Sequence, residues 1–120
     1  MTNKKAEDKK IKMWNVISME CIRKITTSAQ ITDLHWSRLS EDIISLHGCS
    51  PNNIKIWNKS GAMVSVLDGH QGRVLAGCLN ESGEILYTVG GEGTLRLWKI
   101  YNKSKSIDEK CEEPMKMLIR

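Results

Sequence analysis

The chain has 120 residues, room for one domain or part of one, and at 40% hydrophobic and 27% charged content it is neither disordered by composition nor membrane-like. Its apolar runs stop at about three or four residues, short of the roughly 20 that a membrane helix needs. No apolar stretch near Met1 reads as a secretory signal, and with no Phe the core must come from Ile, Leu, Val and Met around the aromatics Trp14, Trp36, Trp57, Tyr87, Trp98 and Tyr101.

The net charge of +4 arises largely from the start of the chain, in Lys4, Lys5, Lys9, Lys10 and Lys12. Residues 1–9 therefore read as a basic, solvated tail. Such a tail can touch nucleic acid or an acidic protein, and binding with a steep salt dependence would mark the former, but no nucleic-acid partner is expected. Cys21, Cys49, Cys78 and Cys111 show no metal-type spacing, and His35, His47 and His70 do not complete a ligand set. The expectation is reduced thiols, no metal and no cofactor, in cytoplasm and nucleus.

Short alternating runs follow in chain order: Lys10 to Asn15, Cys21 to Thr26, Gln30 to Trp36, Asp42 to His47, Asn53 to Asn58, Ala62 to Leu67, Arg73 to Leu79, Glu84 to Val89 and Thr94 to Lys99. Period-two alternation such as Ile54/Ile56 and Leu95/Leu97 puts one face of each run inward, which is strand patterning. Turn chemistry separates the runs, as in Asn58-Lys59-Ser60-Gly61 and Asn80-Glu81-Ser82-Gly83.

Three of these runs repeat: Lys10-Ile11-Lys12-Met13-Trp14, Asn53-Ile54-Lys55-Ile56-Trp57 and Thr94-Leu95-Arg96-Leu97-Trp98. Their tryptophans are 43 and 41 residues apart, the period of a WD repeat whose unit is a four-stranded propeller blade. Gly69-His70 supplies the Gly-His element of the last repeat, while Thr26-Thr27 stands in that place one repeat earlier. The fold expected is all-β: a partial WD-repeat propeller of about two and a quarter blades, nine antiparallel strands over residues 10–101, with a flexible tail over 102–120. A closed propeller typically has four to eight blades, so this array does not close a ring by itself: the expectation is a fragment or truncated product of a larger propeller, or a chain that needs a partner over its open edges, and the isolated chain is expected to associate.

The stretch from Asp8 to Trp98 resembles the C-terminal repeats of the Fizzy family, the substrate-recognition coactivators of the anaphase-promoting complex. The resemblance is carried by Asp8-x-x-Ile11-Lys12-Met13-Trp14-Asn15, Gln30-Ile31-x-x-Leu34-x-Trp36-Ser37, Leu46-His47-Gly48-x-Ser50-x-Asn52, Leu67-x-Gly69-His70-x-x-Arg73-Val74-Leu75 and Thr94-Leu95-Arg96-Leu97-Trp98, with Ile119-Arg120 at the end. It implies a non-catalytic adaptor whose partners are ligase subunits and degron-bearing substrates. It implies that Gln30 and Arg73 hold a Lys-Glu-Asn signal, the Arg offering a planar fork to the ligand carboxylate and the Gln both donating and accepting. It also implies that Ile119 and Arg120 dock on the ligase. For the destruction-box signal the family places an acid directly before the Thr-Leu-Arg-Leu-Trp run. Here that place is Gly93, and the nearest acid is Glu92.

Two catalytic readings of the residues fail. Gly90-Gly91-Glu92-Gly93-Thr94 lacks the Lys-Ser/Thr ending of a phosphate loop and precedes a strand. Asp33, His35 and Ser37 lie on one extended segment and cannot easily converge as a catalytic trio. The function classes left open are a ligase-coactivator adaptor and a generic WD-repeat interaction scaffold with no ligase link. Ile119, Arg120, Gln30 and Arg73 discriminate between them, because the scaffold reading gives them no role.

Overall fold

The computed structural model describes residues 2–5, 9–37, 39–48, 51–101 and 115–118. Three antiparallel sheets stack face to face. The first holds β1 (Thr2–Lys5), β2 (Lys10–Trp14) and β3 (Cys21–Thr26). The second runs β4 (Gln30–Trp36), β5 (Ile43–Gly48), β6 (Asn53–Trp57) and β7 (Met63–Asp68). The third orders β8 (Val74–Leu79), β9 (Ile85–Gly90) and β10 (Thr94–Lys99) with β11 (Met115–Leu118) outside β10. Among the described residues there is no helix, and hence none long and apolar enough to cross a membrane.

All nine strands read from the sequence form, with ends displaced by at most one residue. The turns behave as their residues dictate. Asn58 and Asn80 open tight turns closed by the amides of Gly61 and Gly83, at 3.0 Å in each case. Both glycines sit at positive φ, 94° and 81°, where a Cβ is strained.

Two further strands come from segments read as tails. Thr2–Lys5 pairs with β2, and Met115–Leu118 pairs with β10. The physical reason is that β2 and β10 would otherwise be edges, with rows of unpaired backbone groups, and a polar segment satisfies those groups as well as an apolar one. The last blade thus has four strands, the fourth drawn from within residues 102–120.

The core lies in two layers. Ile11, Met13 and Ile25 of the first sheet meet Ile31, Ile43 and Trp57 of the second. Ile44, Leu46, Ile54 and Ile56 on the other side of that sheet meet Val74, Leu86 and Trp98 of the third. Every residue of β5 and β6 is therefore buried. This is why Ile43-Ile44 breaks the alternation: the two side chains serve opposite layers. Complete burial of an aliphatic side chain stabilises by about 1.5–3 kcal/mol, so these layers dominate the fold energy.

Cross-blade polar ties fix the stacking. Thr32 donates to the Val74 carbonyl, at the bulge where the register of β4 shifts. Tyr101, just beyond β10, donates 2.7 Å to Asp42 ahead of β5. Burial, reinforced by the neighbouring Asp42, pushes the Tyr101 hydroxyl up to about 12.

Candidate functional site

Each of the two complete blades contains a buried polar relay anchored on its tryptophan. In the last blade, Trp98 Nε1 donates to Thr88 Oγ1 (2.8 Å), which lies 2.7 Å from His70 Nε2, and His70 Nδ1 lies 2.7 Å from Glu92 Oε2. All donors are satisfied if Thr88 donates to Nε2 and the ring donates from Nδ1 to the carboxylate. Glu92 also accepts from Thr94 Oγ1 (2.6 Å) and from the Gly72 amide (3.1 Å). Burial alone would raise the Glu92 carboxyl, but hydrogen bonds from Thr94, His70 and backbone amides overcome that and hold it at about 2.

The middle blade builds the same relay from different parts. Trp57 Nε1 donates to Ser45 Oγ (2.8 Å), and Ser45 lies 2.7 Å from His47 Nε2. His47 Nδ1 faces the Ala29 carbonyl at 3.3 Å. The histidine comes from β5 itself, two residues after the serine, instead of from the loop before the blade. Thr27, in the Gly-His place, donates its hydroxyl to the carbonyls of Lys9 and Ala29. Burial, opposed by the Ala29 hydrogen bond and helped by the nearby Lys55 charge, lowers His47 to about 4, so the ring is neutral at physiological pH. The sequence marked this repeat as irregular, and the Ser45-x-His47 spacing on one strand face was the signal that would have found the substitute.

On the surface above these relays, the chain ends of several strands converge. β4 starts at Gln30, opposite Gly48 at the end of β5, and Arg73 precedes β8. Arg73 Nη2 donates to Gln30 Oε1 at 3.3 Å, so residues 43 apart in sequence meet across two blades. The Arg73 stem lies over Gly48, where an added Cβ would come within 3.0 Å of Arg73 Cβ and Cγ. The Arg73 carbonyl accepts from the Gly91 amide at 2.8 Å, and Asn52 Nδ2 donates to the Gln71 carbonyl at 3.1 Å, holding the loop that carries Arg73. Arg73 is exposed and has no carboxylate partner among the described residues. Its guanidinium therefore faces solvent beside the Gln30 amide.

The other expected site residues fall differently. Ile119 and Arg120 lie outside the described residues. Glu92 cannot take over from the acid missing at Gly93: its oxygens point inward to His70, Thr94 and Gly72. Gly93 itself sits at φ 88°, a turn geometry that an acidic side chain would strain. Asp33 pairs with His35 at 2.9 Å, but Ser37 turns away to Ser40, so no catalytic trio forms. Among the described residues no three His, Cys, Asp or Glu side chains gather as metal ligands.

Stacked four-stranded sheets with a Trp–hydroxyl–His relay in each complete blade define a WD-type propeller array. A family model described as eIF2A, eukaryotic translation initiation factor eIF2A, matches residues 6–117, and the chain belongs to that family. Individual relatives are similar in a more specific way. The chain is 37% identical over 100 residues to the WD repeat-containing protein srw1 of Schizosaccharomyces pombe, covering 82% of this chain and 18% of that protein. It is 34% identical over 99 residues to the anaphase-promoting complex subunit cdh1 of Dictyostelium discoideum (82% and 13%). It is 32% identical over 100 residues to the APC/C activator protein CDH1 of Saccharomyces cerevisiae (82% and 18%). Among solved structures, a chain of the crystal structure of the mitotic checkpoint complex superposes with a TM-score of 0.76 at 32% identity, over 80% of this chain and 31% of that one. The Fizzy-type resemblance read from the repeats is thus borne out, and the chain spans only 13–18% of the length of these curated relatives.

Proposed function

We propose that the chain acts as a non-catalytic substrate adaptor of the anaphase-promoting complex, binding degron-bearing proteins through Arg73 and Gln30. The observation that carries this reading is the exposed Arg73 guanidinium, held over Gly48 against Gln30 with no carboxylate partner among the described residues. A planar donor fork with a fixed neighbour suits the Glu of a Lys-Glu-Asn peptide, and charge-assisted pairing of that kind is the strong class of hydrogen bond. The relatives named as activators of the same complex support the ligase link. The site favours Lys-Glu-Asn signals over destruction boxes, because the carboxylate that would meet a destruction-box Arg is missing at Gly93.

In this reading Ile119 and Arg120 dock the chain on the ligase, with an apolar side chain in a pocket beside a charge-assisted contact. The protein works in cytoplasm and nucleus. The experiment is co-purification of ligase subunits with the tagged chain and with a chain lacking residues 119–120. Recovery with the former and loss with the latter is expected; equal recovery removes the tail from the account.

A second reading, a WD-type interaction scaffold with no ligase link, draws on the family match over residues 6–117. A shared blade architecture hosts unrelated functions. Failure to recover any ligase subunit with the intact chain would favour it.

A further inference from the structure

The two gaps between the sheets are built alike but differ at the outer rim. In the first gap Arg23 of β3 stands opposite Met13 of β2. Its Nη1 crosses to the Ser60 carbonyl at 2.8 Å, and its stem lies against Gly61. In the second gap the same place, opposite Ile56 of β6, holds Ser65 of β7. That side chain is too short to cross. A cleft of about 330 Å³ remains, lined by Ser65, Val66, Leu67 and Asp68 of β7 and by Trp98 of β10. Such a volume lies near the lower end of small-ligand sites.

The basic residues of the two gaps differ as well. Lys55 and Arg96 each precede the tryptophan of their strand by two residues, and both are buried, at 8% and 4% exposure. Lys55 Nζ donates to Ser28 Oγ at 2.9 Å, in the loop before β4. Arg96 Nε is buried and bonded to nothing, and no carboxylate pairs with its guanidinium among the described residues. Arg96 Nη1 and the Cη2 edge of Trp98 lie 2.5 and 3.2 Å from the point where a Gly69 Cβ would stand. The guanidinium therefore sits beside the ring that walls the cleft, where Asp68-Gly69 leaves β7. Asp68 does not supply the missing charge. It alternates with Leu67, which packs on the core towards the third sheet, so its carboxylate belongs to the opposite strand face, in register with Asn53. A buried arginine is ordinarily paired, because an uncompensated buried charge is costly.

We propose that the cleft between β7 and β10 binds a small ligand with an oxyanion head, a carboxylate or phosphate, and an apolar body. The Arg96 guanidinium holds the head, since its fork of N–H donors matches paired oxygens. The Ser65 hydroxyl adds a donor at the rim, and the body lies on Leu67 and Trp98. Both walls come from sheets inside the chain, so the site is independent of any sequence beyond it. The proposal does not rest on the ligase reading.

The test is an NMR titration of the full chain with benzoate and, separately, with inorganic phosphate. It is read at the arginine Nε–H signals, the Arg96 signal being the one that Arg96→Lys removes. A saturable shift of that signal is expected with both probes, and benzoate should bind more tightly because only its ring can use Leu67 and Trp98. Ser65→Arg should fill the cleft as Arg23 fills the first gap, keep its strands by circular dichroism, and weaken benzoate by about tenfold or more. Arg96→Met should weaken both probes to a similar degree; if it does not fold, Ser65→Arg decides. A shift that never saturates, a shift of the Arg73 signal without the Arg96 signal, or unchanged binding in folded Ser65→Arg would overturn the proposal. Phosphate binding as tightly as benzoate would overturn its apolar part.

Discussion

Arg73 reaches over Gly48 to meet Gln30 at 3.3 Å, joining the entry points of β8 and β4 in successive blades. The contact depends on an absence. Gly48 presents no Cβ, and the arginine stem occupies that space. The glycine of the His47-Gly48 pair therefore helps to place Arg73 beside Gln30, although it offers no polar side chain.

Gly48→Ala should displace Arg73 while leaving the blade intact. The added Cβ would lie 2.9 Å from Arg73 Nε and 3.0 Å from its Cβ and Cγ, closer than van der Waals contact allows. Affinity for a Lys-Glu-Asn peptide should fall about as far as in Arg73→Ala, with a stability change of about 1 kcal/mol or less. Calorimetric titration and a thermal melt of the same sample separate the two effects.

Removing a relay hydroxyl should cost stability. Thr88→Val keeps the shape but leaves Trp98 Nε1 and His70 Nε2 without their shared partner. Each orphaned buried group costs about 1–3 kcal/mol. Urea unfolding should show a loss of at least about 2 kcal/mol, and Ser45→Ala should behave alike through Trp57 and His47.

Acid should destabilise the protein in two separate windows. His47 is held neutral, at about 4 against an ordinary 6.5. The unfolded chain therefore binds its proton first, and stability present above pH 6.5 is lost as pH falls towards 4. Glu92 is held at about 2 against an ordinary 4.5, so its contribution persists above 4.5 and is lost only on further descent. Urea midpoints measured between pH 7.5 and 4.5 should fall in the wild type and stay flatter in His47→Gln.

Tyr101→Phe should loosen the clamp between the last two blades by about 1 kcal/mol. Asp42 would keep its hydrogen bond from Ser40 at 2.8 Å but lose the one from Tyr101. A larger loss in Asp42→Ala than in Tyr101→Phe is expected by chemical denaturation, since Asp42 serves both partners.

The strands were legible because two periodicities coincide. Alternation marks each strand, and the tryptophan spacing of 43 and 41 residues marks each blade. Gln30 and Arg73 were legible only through resemblance, since an exposed Gln and Arg at strand starts carry no local signal. What escaped the sequence is whatever depends on backbone pairing or on a stand-in. β1 forms on main-chain hydrogen bonds, so its polar residues hid it; β11 had a visible signal in Met115-Lys116-Met117. His47 fills the place of the missing loop histidine from a different strand, and Glu92 turns inward as a structural acid. Spacing alone does not say which way a loop carboxylate points.

The central claim is that Arg73 and Gln30 form a peptide site, and titration of a Lys-Glu-Asn peptide against the wild type and Arg73→Ala tests it most directly. One exposed-to-buried, charge-assisted contact is worth on the order of 1.5–3 kcal/mol, so the substitution should raise Kd by roughly ten- to a hundredfold. Measurable binding of equal strength in both proteins, or none to the wild type, would contradict the claim.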